Sequence, residues 1–190
     1  MSQAKTLTPQ ELRRVLDHIA TRPHAARNRA MLLFTHWSGM RVGEVAALKL
    51  GDVVDAQGVV RSEIRLDAAQ TKGKHARVVF VNDKLRKEIS KYLAARPAGD
   101  PEQKLFYTQK RMREGFNANT LCQFFHHLYR AAGIEGASSH SGRRSFATAM
   151  ASNGVGVRVL MRALGHRNIS STILYVDASD DMLRKAVELV

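Results

Sequence analysis

The sequence predicts a mainly α-helical domain with one small antiparallel β-sheet, an α+β fold over residues 1–190. Apolar residues recur at the i, i+3, i+4, i+7 spacing of a buried helix face in most of the chain. Two central segments instead alternate and are rich in β-branched residues, as half-buried strands are. A chain of 190 residues can bury a full core, and a single domain is the default expectation.

The N-terminal third is predicted to be helical. Thr8, Pro9 and Glu11 combine an N-cap residue, a proline at the first helical position and the acid of a capping box. The buried face of this helix is formed by Leu12, Val15, Leu16 and Ile19. A second helix is expected from about residue 25 to residue 37, and a short third helix follows the Ser-Gly break, over residues 41–48.

The middle of the chain predicts the sheet. Residues 62–66 and 77–81 have strand-like alternation, and residues 70–74 lie between them as a hairpin turn. The valines at 53–54 are candidates for a third short strand. Asn82 and the aspartate after it then cap a helix whose apolar face contains Leu85, Ile89, Tyr92 and Leu93.

The remaining elements are helical. Residues 96–118 are rich in proline, glycine and charge, which indicates a connection. A helix is then predicted from Asn119, another from near His140, and a third over residues 157–164, ended by Gly165. A short helix or turn carries the following tyrosine. In the C-terminal tail, residues 177–190, an amphipathic helix is expected with Leu183, Ala186, Val187 and Val190 on its apolar face.

Charge is the strongest compositional signal. The net charge of +13 indicates a polyanionic partner, although a surface tuned for solubility is the alternative. Residues 177–190 carry a net charge of −2, so residues 1–176 carry +15. Residues 1–176 are therefore expected to bind a polyanion, whereas residues 177–190 are not.

Several classes of protein are disfavoured by composition. No apolar run approaches the roughly 18 residues of a membrane span, and the N-terminus lacks a signal-peptide pattern. Cys122 is the one cysteine, so no intrachain disulfide can form, which fits an intracellular protein. No metal or other cofactor is expected, because no Cys/His or carboxylate cluster has metal-ligand spacing.

Two pairs of residues are candidate phosphate ligands. His140 and Arg143 are three positions apart, so on a helix they share one face, and an arginine fork suits phosphate oxygens. Arg41 begins a helix, where backbone N–H groups also favour an anion, and Glu44 could hold its guanidinium in place. Taken alone, each pair is more often an ordinary surface or intrahelix pair.

Three further residues are ambiguous in isolation. His166 directly follows a helix stop, where a histidine also commonly caps carbonyl groups. Tyr175 alone is more often a core or interface tyrosine than a nucleophile, and Lys72 in a turn is normally a solvated lysine.

Together, the motifs resemble the tyrosine recombinase (phage integrase) family. Gly-Met-Arg-Val-Gly-Glu-Val at 39–45 resembles its first arginine motif, and His-Ser-Gly-Arg-Arg-Ser-Phe-Ala-Thr at 140–148 resembles its second. Leu-Gly-His at 164–166, with a tyrosine nine residues later, resembles the third, and Thr-Lys-Gly-Lys at 71–74 resembles the hairpin that carries the family's lysine. The resemblance covers nearly the whole chain. It implies the catalytic set Arg41, Lys72, His140, Arg143, His166 and the nucleophile Tyr175, with Glu44 in support and Lys74 as the alternative lysine.

The chain also departs from the family's pattern. Gly142 and Arg144 flank the second arginine, where many members have a bulky apolar residue and a basic residue or histidine. Typical members carry a core-binding domain before the catalytic domain, and none is expected here. The chain is similar to small single-domain members such as the fimbrial-switch recombinases, and a truncated integrase would have the same sequence pattern.

The resemblance implies site-specific recombination of double-stranded DNA through a covalent 3′-phosphotyrosine, with integration, excision or inversion as the outcome. His140 would accept the proton of Tyr175, Lys72 would protonate the leaving 5′-oxygen, and His166 would donate to a phosphate oxygen. Expected partners are DNA, further copies of the chain in a tetrameric synapse, and a DNA-bending accessory protein. The expected location is the cytoplasm, with the nucleoid when DNA is bound.

Two other functions remain open at this stage. A type IB topoisomerase-like enzyme would use the same nucleophile to relax supercoiled DNA without exchanging strands. A DNA-binding regulator would occupy sites without cutting them, although such a protein has no need of Tyr175 and His166.

Overall fold

The computed structural model describes residues 4–108 and 115–175, together with residues 184, 187 and 188. This part of the chain is mainly helical with one two-stranded antiparallel sheet, which confirms the α+β prediction. No helix in the described ranges is long and apolar enough to cross a membrane. The elements are α1 (Pro9–Ala20), α2 (Ala25–Ser38), α3 (Val42–Ala47), α4 (Leu50–Val53), β1 (Glu63–Leu66), β2 (Arg77–Phe80), α5 (Asp83–Ala94), α6 (Ala118–Ala131), α7 (Ser141–Ser152), α8 (Val157–Leu164) and α9 (Ser170–Ile173).

Local capping signals fix where most helices begin. Thr8 and Glu11 form the predicted capping box of α1, and the Asn82 side chain accepts from the backbone of Leu85 to begin α5. The predicted start of α6 at Asn119 is wrong by one residue, because the helix begins at Ala118. Asn117 is the cap, because it and Thr120 exchange hydrogen bonds of 2.8 and 3.0 Å between side chain and backbone.

The sheet consists of β1 and β2, paired in register from Glu63 opposite Phe80 to Leu66 opposite Arg77. The third strand predicted at 53–54 is wrong: the first of the two valines ends the one-turn helix α4, and the second makes a single bridge to Val60. This segment forms a helical turn rather than a strand because the Asp52 carboxylate accepts a hydrogen bond from the Lys49 backbone N–H at 2.8 Å and caps the turn.

Helix α2 lies at the centre of the core. Four consecutive residues, Met31 to Phe34, are completely buried, so the helix is buried on all sides over this turn. Helices α1, α5 and α7 pack around it. Helix α7, whose start carries the second arginine motif, therefore packs against α2, the most buried helix of the described structure.

Candidate active site

Close packing of α7 on α2 places Arg143. A Cβ atom on Gly142 would lie 2.1 Å from Oγ1 of Thr35 and 3.2 Å from its carbonyl carbon, so only glycine allows this approach. The glycine that departs from the family's pattern thus has a packing reason. It brings the neighbouring Arg143 into the interior, where the residue is 4% exposed.

Arg143 connects the ends of two helices. One Nη1–H donates to the carbonyl of Gly39, the left-handed residue that ends α2, at 2.7 Å, and one Nη2–H donates to the carbonyl of Leu164 at 2.6 Å. Burial, assisted by the positive charge of Arg41, lowers the pKa of Arg143 to about 9. The guanidinium is thus held by neutral carbonyls, and its charge remains available to an anion.

Arg41 is fixed by Glu44. Arg41 is the N-cap of α3, and its backbone N–H and Nη1 donate to the two oxygens of Glu44 at 2.8 and 3.3 Å. The Arg41 side chain keeps 30% of its surface exposed, whereas that of Glu44 keeps 1%. The buried Glu44 carboxylate therefore holds the Arg41 guanidinium in place, while the Arg41 side chain stays partly exposed to solvent.

Arg77 is a site residue that the sequence prediction missed. It donates to Glu44 through Nε at 3.1 Å and Nη2 at 2.7 Å, and through Nη1 to the carbonyl of Ala163 at 3.0 Å. Burial opposes ionisation of Glu44, but the hydrogen bonds and charge of Arg77, together with the Arg41 N–H, lower its pKa below the ordinary value. The sole sequence signal was the position of Arg77 after the lysine turn, since its partners are distant in sequence.

His166 is held at both ring nitrogens. Gly165 ends α8 in the left-handed conformation, as predicted, and turns the histidine back towards α7. Nε2 of His166 lies 2.9 Å from Nη2 of Arg143, and Nδ1 lies 2.9 Å from Oγ1 of Thr172. Burial and the neighbouring arginines lower the pKa of His166 to about 4, so the ring is neutral at pH 7. Thr172 also went unpredicted, because a buried threonine gives no sequence signal of this contact.

Tyr175 lies in a turn directly after α9. Its backbone N–H donates to the carbonyl of Thr172 at 3.0 Å, and its ring stacks on His166 with a centroid separation of 6.2 Å. The guanidinium carbon of Arg144 lies 5.9 Å from the tyrosine ring centroid. The tyrosine is therefore oriented by the same turn that holds the histidine.

His140 is the N-cap of α7, one residue before the helix, rather than a residue within it. Partial burial and the positive charges of Arg143, Lys72 and Arg41 lower its pKa. The neutral imidazole is thereby favoured, and a neutral imidazole can accept a proton.

These side chains meet in one open cleft of about 490 Å³. Five of the six predicted catalytic residues line it, namely Arg41, His140, Arg143, His166 and Tyr175. Lys72 is exposed in the turn after β1 and does not line the cleft, although its charge acts on His140. Lys74, the alternative, is also exposed and has a left-handed backbone with φ of 50°.

The cleft is strongly cationic. Arg41, Arg143 and Arg144 line it, and Glu44 behind it is already engaged by two arginines. No group of three or more His, Cys, Asp or Glu side chains in the described ranges could hold a metal ion. The arrangement suits a phosphate, whose oxygens would be met by arginine and histidine beside a tyrosine hydroxyl.

Several known proteins are similar to this chain. Residues 5–182 match the model of the phage integrase family. A tyrosine recombinase XerA of Thermococcus kodakarensis is 33% identical over 189 residues, which cover 98% of this chain and 63% of that protein. A tyrosine recombinase XerC of Lactobacillus delbrueckii subsp. bulgaricus is 30% identical over 163 residues, 83% of this chain and 52% of that protein.

Solved structures have the same fold. A crystal structure of XerA recombinase superposes with a TM-score of 0.75 at 27% identity, covering all of this chain and 64% of that one. XerH bound to a palindromic difH substrate gives a TM-score of 0.71 at 22% identity, covering 98% of this chain and 53% of that one. The chain thus spans less than two thirds of the length of these relatives.

Proposed function

This chain belongs to the phage integrase family, the tyrosine recombinases, and on that basis we propose that it is a site-specific DNA recombinase. It cuts and rejoins DNA through a covalent 3′-phosphotyrosine, and residues 1–190 act as its catalytic domain. The observation that carries the proposal is the meeting of five side chains from distant parts of the sequence in one cationic cleft.

Cleavage begins at Tyr175. A free tyrosine has a pKa of about 10 and is a weak nucleophile at pH 7, so a base is needed. Neutral His140 accepts the phenol proton while the tyrosine oxygen attacks phosphorus and the bond to the 5′-oxygen breaks. The leaving 5′-oxygen takes a proton from Lys72, or from Lys74 as the alternative. A 5′-hydroxyl from another strand reverses these steps, so the ester bond is conserved.

Charge stabilisation comes from the arginines. The phosphate gains negative charge as five oxygens surround phosphorus, and Arg41 and Arg143 are placed to neutralise it. Preorganised donors of this kind contribute about 10²–10³-fold each to rate. The buried carbonyl contacts of Arg143 and the carboxylate behind Arg41 support this role, because they fix both guanidinium groups before the substrate arrives.

Double-stranded DNA is the proposed substrate. The charge of +15 on residues 1–176 supports a polyanionic partner. We also propose self-association in a tetrameric synapse, a DNA-bending accessory protein as a further partner, and association with the nucleoid.

The amphipathic helix expected over residues 177–190 falls outside the described residues apart from 184, 187 and 188. It stays a prediction that this tail docks on a neighbouring subunit, with docking on its own domain as the alternative.

The experiment is a covalent capture. The protein is mixed with a pool of duplexes of random sequence that carry a central nick, so that the short cleaved strand diffuses away and traps the adduct. Adducts that survive denaturant are recovered and sequenced, and the selected duplex is tested again on a denaturing gel. Wild-type protein should form the adduct, and Tyr175→Phe should bind the duplex but form none.

The outcomes separate the three functions. Strand exchange between two selected duplexes supports recombination, whereas relaxation of supercoiled plasmid without exchange would indicate a topoisomerase-like enzyme. Binding without any adduct would indicate a regulator. An adduct at the wild-type level with Tyr175→Phe would overturn the assignment of the nucleophile.

A further inference from the structure

The two contacts of His166 determine where its proton lies. An arginine can only donate, so the 2.9 Å contact between Nη2 of Arg143 and Nε2 of His166 makes Nε2 an acceptor. A neutral imidazole carries one proton, which must then be on Nδ1 and be donated to Oγ1 of Thr172 at 2.9 Å. The low pKa of His166 agrees with a neutral ring.

This tautomer is the opposite of the one that cleavage needs. The family resemblance implies that His166 donates a hydrogen bond to a phosphate oxygen, and Nε2 is the nitrogen that faces Arg143, which also lines the cleft. With its proton on Nδ1, the neutral ring has nothing to donate from Nε2. A neutral His166 that donates to the phosphate must therefore carry its proton on Nε2 once DNA is bound.

Thr172 is suited to allow that change. A hydroxyl both accepts and donates, so it can accept from Nδ1–H in one state and donate to bare Nδ1 in the other. The residue is completely buried, and within the described part of the chain its side chain makes no other hydrogen bond. The hydroxyl hydrogen is thus free to rotate towards His166.

We propose that Thr172 is a positioning residue that lets His166 switch from an acceptor of Arg143 to a donor to the scissile phosphate. The proposal rests on the proposed function. On DNA binding, the Nη2–H of Arg143 leaves Nε2 for a phosphate oxygen. Nε2 of the partly exposed His166 takes a proton from water, and the Nδ1 proton is lost to water while the contact with Thr172 opens transiently. The ring thus ends neutral, and the Thr172 hydroxyl turns to donate to Nδ1.

The same residue links the histidine to the nucleophile. The Thr172 carbonyl accepts from the Tyr175 backbone N–H at 3.0 Å, and the tyrosine ring stacks on His166. The backbone part of this link is independent of the side chain. A substitution that removes only the hydroxyl therefore isolates the tautomer effect from the position of the tyrosine.

The first test measures the tautomer in the free protein. Long-range ¹H–¹⁵N correlation spectra of ¹⁵N-histidine-labelled protein distinguish protonated from bare ring nitrogens, and His166→Gln identifies the signals of His166. We expect protonated Nδ1 and bare Nε2 in wild type and in Thr172→Ser. Protonated Nε2 in the free wild-type protein would overturn the proposal.

The second test adds the selected duplex to the Tyr175→Phe protein, which cannot cleave. The His166 proton should move to Nε2 with Thr172 or with Thr172→Ser. With Thr172→Val, which keeps the shape but lacks the hydroxyl, the Nε2–H form should be less populated. An unchanged spectrum on binding, or an equal switch with valine, would overturn the proposal.

The third test measures cleavage. Loss of a whole preorganised donor costs about 10²–10³-fold in rate, so loss of its orientation should cost less, about 10–10²-fold, in Thr172→Val. Duplex affinity should stay within about twofold, and Thr172→Ser should restore the rate. Tyr92→Phe, on α5 and away from the cleft, is the matched control, because it also removes a buried hydroxyl, one that donates to the Leu105 carbonyl at 2.7 Å, and it should leave the cleavage rate unchanged. Wild-type cleavage by Thr172→Val would overturn the role of Thr172 while leaving the proposed function intact. Failure of the wild-type protein to form any adduct would overturn both.

Discussion

Replacing Glu44 by Gln should loosen the whole cationic side of the cleft. The Glu44 carboxylate accepts four hydrogen bonds, two from Arg41 at 2.8 and 3.3 Å and two from Arg77 at 3.1 and 2.7 Å. Glutamine keeps the shape but turns one oxygen into an N–H donor. With the amide nitrogen at the Oε2 position, one backbone N–H and one guanidinium N–H face another donor, and at the Oε1 position two guanidinium N–H groups do.

The magnitude follows from these contacts. If Oε2 becomes the amide nitrogen, its two shortest hydrogen bonds are lost, and hydrogen bonds to charged groups contribute about 1.5–3 kcal/mol each. Breaking a buried ion pair by removing one charge typically costs about 3–5 kcal/mol. Both arguments agree on a loss of about 4 kcal/mol in the free energy of unfolding. A domain of this size should then unfold about 8–16 °C lower.

Urea and thermal unfolding, followed by circular dichroism, measure the loss of stability. The rate of adduct formation on the selected duplex measures the effect on cleavage. Glu88→Gln is the matched control. Glu88 also pairs with an arginine, Arg29, and its side chain is 10% exposed, but it lies on α5 away from the cleft. Glu88→Gln should lower stability and leave the adduct rate unchanged. The reasoning is refuted if Glu44→Gln unfolds within 1 kcal/mol of wild type, or if both variants slow cleavage equally.

Three further predictions follow from packing, protonation and charge. Gly142→Ala forces α7 away from Thr35, which should lower the free energy of unfolding by about 1–3 kcal/mol and slow cleavage. Gly43→Ala should be tolerated, because its new Cβ would lie 3.7 Å from the nearest atom. Equal melting temperatures of the two variants would contradict this reasoning. His166, with its pKa lowered to about 4, and His36, lowered equally by burial, favour the neutral form in the folded state. Their contribution to stability is fully present above pH 6.5 and is lost as the pH falls towards 4. His166→Gln should therefore flatten the pH dependence of the free energy of unfolding measured in urea, and an unchanged slope would argue against a neutral His166 in the folded state. The logarithm of DNA affinity should fall by more than about two units per tenfold rise in salt, and a shallower dependence would mean that few phosphates are contacted.

Elements with local signals were predictable from the sequence. Thr8, Asn82 and Gly165 mark helix ends by chemistry within a few residues, and the structure uses all three. The start of α6 was missed because Asn117 and Asn119 are equally good caps until Thr120 completes a reciprocal pair with one of them.

The site was predictable to the extent that the family resemblance fixes its motifs. Periodicity alone left Tyr175 and His166 as ordinary residues, and their meeting in one cleft depends on packing. Arg77 and Thr172 could not be found, because their roles exist only through contacts with Glu44 and His166 in the folded chain.

The most direct measurement of the central claim locates the bond between protein and DNA. The trapped adduct is digested with nuclease and trypsin, and the peptide of residues 168–184, which contains one tyrosine, is sequenced by tandem mass spectrometry. The account predicts that a nucleotide is attached through a 3′-phosphate to Tyr175. A nucleotide on any other residue of that peptide, or an unmodified peptide from a protein that has cleaved DNA, would contradict it.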